Sequence, residues 1–152
     1  MKPDELLELF QKNLETVKEA YLDDKKYLWV TIDRSEIVKA AQFIKDTFEG
    51  TQIIFTHAFL TDFPDTEEME MIYSWWQIEH NLYFSLRTRI PMSDFKIDTI
   101  TPIWWEANWH EREAWELLGI DVVGHDNLTQ LLLPDELMGV YPLRKSFKLR
   151  ER

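Results

Sequence analysis

The stretch from Thr51 to Pro91, "TQIIFTHAFLTDFPDTEEMEMIYSWWQIEHNLYFSLRTRIP", decides the fold. Three runs, 51–63, 68–80 and 81–91, are rich in β-branched and aromatic residues and are separated by "PDTEE" and "HN". Such side chains suit a pleated surface, whereas Pro, Asp and Asn favour reversals, so the pattern predicts three antiparallel strands. The apolar face of a sheet needs cover, and the flanking sequence has the helical period to supply it.

Upstream, Pro3 and Asp4 open a helix whose apolar positions, Leu6, Leu7, Phe10, Leu14, Val17 and Tyr21, keep a three-and-four spacing. "YLWVTI" (27–32) reads as a strand. Asp33 or Ser35 caps a second helix carrying Ile37, Val38, Ala41, Phe43, Ile44 and Phe48, which Gly50 ends. Downstream, "MSDFKIDTIT" (92–101) is extended, Pro102 begins a third helix and Gly119 stops it. Beyond Val122 only "LTQLLLPDEL" (128–137) interrupts irregular chain that runs through Gly139 and Pro142. The expected fold is α+β: a mixed, mainly antiparallel sheet of four to five strands packed with two to three helices, and an extended C-terminal tail. A compact part over 1–121 would carry a docking extension over 122–152, within one domain.

The 152 residues, 45% hydrophobic with seven Trp, nine Phe and five Tyr, are enough for a real core. A net charge of −11 excludes a nucleic-acid binder, because phosphate contacts demand a basic surface. Only the end disagrees: "RKSFKLRER" (144–152) holds five basic residues and one acid, either a solvated end or one that docks on an acidic partner. The absence of cysteine removes disulfides, thiolate metal ligands and a Cys nucleophile. No signal sequence opens the chain and no run approaches the ~20 apolar residues of a membrane span. The expectation is a protein that meets a membrane only through other proteins.

Within the third helix, Trp104, Ala107, Ala114, Trp115 and Leu118 share a face, with Glu111 near its centre and Arg112 beside it. A carboxylate there must be paired, hydrogen-bonded or protonated. Either the fold itself satisfies it, or Glu111 and Arg112 find partners on another chain. "HEREA" (110–114) begins like the HExxH zinc motif but ends in Ala114, which has no donor. His57, His80, His110 and His125 are scattered, and four glycines form no phosphate loop. The acidic run Asp62–Glu70 lacks the spacing and central glycine of an EF-hand and reads as a solvated turn. The pairs Trp75-Trp76 and Trp104-Trp105 place one ring in the core and aim the other elsewhere, as aromatics at interfaces do.

"WWEANWHEREAWELLGID" (104–121) followed by "GHDNLTQLLLPDELMGVYPLRKSF" (124–147) resembles the signature of the hydrophilic 30 kDa-type subunit of NADH:quinone oxidoreductase, respiratory complex I. That family includes subunits of membrane-bound [NiFe]-hydrogenases and related complexes. Asn108, Glu111, Arg112, Glu113, Gly119, Ile120, Gly124, His125, Leu128, Pro142, Leu143, Arg144 and Lys145 match its pattern. The resemblance implies a subunit without a cofactor of its own, on the cytoplasmic side of the membrane. It would pack against a hydrogenase-like or quinone-site large subunit and a small iron–sulfur subunit, with iron–sulfur clusters, and in a hydrogenase NiFe, in those partners. Asn108, Glu111, Arg112, Glu113, Gly119, His125, Leu128, Pro142, Leu143, Arg144 and Lys145 would then serve the interface. Glu116, Leu118, Thr129 and Gln130 depart from the family pattern, the last two standing where it has arginines. These departures point to a hydrogenase-type or sulfur-reducing complex. A reading from another class is a free-standing enzyme with Glu111 as general base beside His110 or His125.

Overall fold

The three central runs form long antiparallel strands. In a computed structural model, which describes residues 1–148, they are β3 (Ile53–Phe63), β4 (Glu68–Gln77) and β5 (Leu82–Pro91). They lie beside β1 (Glu19–Leu22) and β2 (Leu28–Thr31), so the five-stranded sheet runs β1-β2-β5-β4-β3. All its pairings are antiparallel except β2 with β5, which is parallel, so the sheet is mixed. The predicted reversals are there: Glu67 and Asn81 take the left-handed conformation that tight turns require.

Three helices, α1 (Pro3–Asn13), α2 (Ile37–Thr47) and α3 (Ala107–Leu118), cover one face of this sheet. Trp75 is the hub: its ring meets Phe55, Phe84 and Trp104 at centroid distances of 5.5–5.8 Å. Phe10 of α1 and Phe48, just past α2, pack on Phe84. As expected, Trp75 and Trp104 are in the core, while Trp105 is 66% exposed.

Three details differ from the sequence expectation. α1 ends at Asn13 and does not reach Tyr21, because the Glu36 carboxylate accepts from the N–H groups of Glu15 (3.2 Å) and Thr16 (2.8 Å) and from the Thr16 hydroxyl (2.5 Å). Those contacts turn the chain into β1 despite the continuing spacing of Val17 and Tyr21. α3 starts at Ala107, five residues after Pro102: turns bonded to the Ile100 carbonyl precede it, and the Trp104 indole is held by Ala41 O at 3.0 Å. A small parallel sheet of β6 (Lys96–Asp98) and β7 (Asp121–Val123) was not anticipated, since each three-residue strand buries a single side chain, Ile97 or Val122. Asp33 does cap the second helical segment, accepting from Ser35 N–H at 3.1 Å. After Val123 the described chain has no α-helix or strand, only a short 3-10 turn at Asp135–Leu137.

Candidate functional site

The helical period divides α3 into faces. Ala107, Glu111, Ala114 and Leu118 point into the core; Asn108, Arg112 and Glu116, each four residues on, point at the C-terminal segment; Trp109 and Glu113 point outward.

Glu111 is fully buried and its partners are all internal. It accepts from Tyr73 Oη at 3.2 Å, from Ile100 N–H at 3.0 Å and from the Thr99 hydroxyl. Burial pushes its carboxyl above the ordinary range, and the three donors only partly offset this. The same burial, with the adjoining carboxylate, raises the Tyr73 phenol far above its usual value. The expectation of a partner on another chain therefore fails for Glu111: no surface reaches it, and the fold already supplies its donors.

Arg112 and Glu116 do a different job. The Arg112 guanidinium donates to Thr129 O (3.0 Å), Thr129 Oγ1 (2.9 Å) and Gln130 O (2.9 Å), and stacks on Trp109. Glu116 accepts from the N–H groups of Leu131, Leu132 and Leu133 at 2.8–3.2 Å. One side chain satisfies carbonyls and the other amides, so a segment without regular structure has its backbone groups paired by α3. Thr129 thus accepts through both its carbonyl and its hydroxyl, and Gln130 through its carbonyl alone; a guanidinium at position 129 would face another cation instead. Arg112 too is spent within the chain. His125 spans the same seat, with Nε2 3.4 Å from Asn108 O and Nδ1 accepting from Asn127 N–H at 3.0 Å. Partial burial holds its pKa below the ordinary value.

The remainder of the segment closes on the end of α3. Gly119 has φ +80°, and a Cβ there would lie 2.6 Å from the Tyr141 ring and 2.7 Å from the Arg144 guanidinium. Arg144 stacks on Tyr141 and Phe95 and donates to Leu118 O at 2.7 Å. Leu143 N–H bonds Leu117 O at 3.2 Å, and Lys145 N–H bonds Asp62 Oδ2 at 2.8 Å. Residues 149–152, the end of the basic tail, lie outside the described residues.

The segment fixed in this way shows apolar side chains to solvent: Leu132 and Met138 are 60% exposed and Leu143 57%; Trp109 of α3 is 55% exposed. Of the residues expected to serve an interface, Glu113, Leu143 and Lys145 are on the surface, Pro142 and Arg144 are half-buried, and Leu128 packs on the core. Asn108, Glu111 and Arg112 are inside, and Gly119 and His125 position the segment. The sequence reading missed Glu116 and Tyr141; the four-residue step from Arg112 to Glu116 was the available signal. Among the described residues no group of three or more His, Asp or Glu side chains could hold a metal ion, and no helix is long and apolar enough to cross a membrane.

The sequence pattern of the family described as the 30 kDa subunit of respiratory-chain NADH dehydrogenase matches residues 30–152. The C subunit of the F(420)H(2) dehydrogenase of Methanosarcina mazei is 28% identical over 134 residues, 88% of this chain and 84% of that protein. The NADH-quinone oxidoreductase C subunit of Geobacter sulfurreducens is 29% identical over 80% of this chain and 74% of its own length. An NADH-quinone oxidoreductase C/D subunit of Erwinia tasmaniensis is 40% identical over 83 residues, 55% of this chain and 14% of that protein. Among solved structures, a chain of the membrane-bound sulfane sulfur reductase, an archaeal respiratory membrane complex, superposes with a TM-score of 0.84. It is 19% identical and covers 96% of this chain and 85% of its own. A trypsin-resistant fragment of Nqo5 gives 0.62 at 24% identity, over 84% of this chain and all of its own.

Proposed function

The chain belongs to the family of the 30 kDa subunit of respiratory-chain NADH dehydrogenase, and from that premise we propose that it is a non-catalytic assembly subunit in the peripheral arm of a membrane-bound, ion-translocating oxidoreductase. Its partners are the hydrogenase-like or quinone-site large subunit and the small iron–sulfur subunit of the same complex, on the cytoplasmic side of the membrane. Electrons pass through clusters in those chains, and this chain holds no cofactor. The complex is of the hydrogenase or sulfur-reducing kind, or a quinone reductase.

The observation that carries this reading is that Leu132, Met138 and Leu143 are exposed on a segment fixed from behind by Arg112, Glu116 and Arg144. Large apolar groups held rigidly in water favour association, and pre-ordering the segment lowers the entropy lost on docking. The C/D relative supports the large subunit as a neighbour, because there the matching part accounts for 14% of a longer protein. The enzyme reading finds no support at Glu111, whose carboxylate has no exposure and bonds no histidine.

The test is mass spectrometry and metal analysis of what co-purifies with a tagged copy from native membranes in mild detergent. Stoichiometric large and iron–sulfur subunits are expected, with nickel if the complex is a hydrogenase. A chain that purifies alone and free of iron would overturn the proposal.

A further inference from the structure

The five-stranded sheet ends in β3, and no strand lies beyond it among the described residues. Among those residues, the backbone of Ile53–Thr61 is hydrogen-bonded only to β4; at the far end of the strand Lys145 N–H bonds the Asp62 side chain and Phe63 O accepts from the Thr66 hydroxyl. In an edge strand, alternate N–H and C=O groups point away from the sheet and remain free to template another chain.

Edges are normally blunted by short length, by charge, by Pro or by bulges. β1, at the opposite edge, is four residues long and begins at Glu19, after Lys18. β3 is eleven residues long, and no Lys, Arg, Asp, Glu or Pro occurs from Ile53 to Thr61. Its one irregularity falls between Phe55 and His57, leaving His57–Phe63 in unbroken register with β4. Ile54 and Phe59 are 43% and 42% exposed along it.

A groove runs beside this edge, between β3 and α3. Its cavity, ≈ 60 Å³, is lined by Leu60, Ala114, Leu117 and Leu143, with His110 and Glu113 on its α3 side. An open strand edge next to an apolar groove under a helix is the arrangement by which an extended peptide is captured: main-chain bonds hold it and a side-chain pocket selects it.

We infer that β3 receives an extended segment of a partner subunit as a sixth strand, with one apolar side chain of that segment in the groove and a basic residue beside it facing Glu113. The backbone chemistry requires an extended occupant, and the groove requires an apolar anchor. Charge guides the choice: the body of a second copy, residues 1–143, would bring a net charge of −15 against the same edge (the chain's −11 without the five basic residues and one acid of its end), whereas an extended segment with a basic flank meets the exposed Glu113 carboxylate. This inference rests on the assembly reading and adds a second contact, which shares Leu143 with the exposed apolar side chains Leu132 and Met138.

Hydrogen exchange at single-residue resolution tests it, on the full chain alone and on the complex isolated from native membranes. In the chain alone, alternate amides between His57 and Phe63 should exchange rapidly while those bonded to β4 are slow. In the complex the fast set should slow by about 100-fold or more, restoring protection at every residue. If the complex forms and the 131–133 amides gain protection while alternate β3 amides stay fast, the sixth strand is overturned and the assembly reading stands. If the fast set slows in the chain alone as its concentration rises, the occupant is a second copy and the proposed partner is overturned. If the chain joins no complex, both readings fall together.

Discussion

At the scale of single residues, α3 uses charge in three ways that its sequence does not separate. Glu111, Arg112 and Glu113 are consecutive, yet one is sealed in the core, one is bonded to the C-terminal segment and one is in water. Periodicity alone placed Glu111 inward; what it could not supply was the identity of the donors, because Tyr73 and Ile100 come from elsewhere in the chain. Glu111→Ala should cost about 3 kcal/mol by leaving those donors unpaired, whereas Glu111→Gln, which can still accept from Ile100 N–H, should cost under about 1 kcal/mol. Since the folded-state pKa is raised, the folded protein holds the proton more tightly. Stability should therefore fall as pH rises from about 4.5 through the folded pKa and then level, and Glu111→Gln should remove that slope. Urea unfolding between pH 4 and 8 measures both; equal losses for the two variants would refute the account. Gly119 gives a second case. Ala there meets a left-handed backbone and the Tyr141 and Arg144 side chains at 2.6–2.7 Å, so Gly119→Ala should cost about 2 kcal/mol or more in urea unfolding.

At the scale of elements, what was legible followed period and turn chemistry. The three long strands are rich in β-branched and aromatic residues, are bounded by Pro, Asp and Asn, and lie within a few residues of the predicted runs, although β4 is buried on both faces and does not alternate. The end of α1 was not legible, because Val17 and Tyr21 extend the helical spacing and the feature that breaks it is Glu36, some twenty residues away. Partial burial raises the Glu36 carboxyl, but hydrogen bonds from the Thr16 hydroxyl, the Thr16 and Glu15 amides and Lys39 outweigh it and bring the pKa to about 2. A depressed carboxyl stabilises the fold above pH 4.5 and loses that contribution as pH falls towards 2, up to about 3 kcal/mol for this group. Glu36→Gln should flatten the acid limb of the stability profile in that window, a result that acid titration by circular dichroism would record. The C-terminal segment was illegible for a related reason: Leu131–Leu133 have no period of their own and owe their shape to Glu116. Glu116→Ala should raise hydrogen exchange at 131–133 by at least about 10-fold while the β4 amides stay protected. Uniform loss of protection would mean that Glu116 holds the whole fold and not the segment.

At the scale of the whole molecule, the sheet carries its helices on one face and its ordered strap at the end of one of them, so folding and docking are separable. Leu132 and Met138 contribute little to the core, and the pair Leu132→Asp and Met138→Asp should leave stability within about 0.5 kcal/mol of the parent. The same pair should reduce recovery of the complex on a gentle native gel by about 10-fold or more, since hot spots concentrate on such apolar anchors. Normal assembly of the double variant would remove the basis for the docking surface. How the surface is built could not be read from composition, because its side chains are ordinary and only the polar seat behind them makes them a surface.

The parallel pairing of β2 with β5 has a bearing on how the protein is made. Leu28 and Val30 leave the ribosome early, but their neighbours in the sheet, Phe84 and Leu86, follow more than fifty residues later. Contacts this distant along the chain close slowly, and until Pro91 has emerged β2 lacks its neighbour β5, and Phe10 and Phe48 lack the Phe84 ring on which they pack. The nascent chain thus has a length threshold below which it exposes its stickiest surface, and that interval is where a chaperone is needed most.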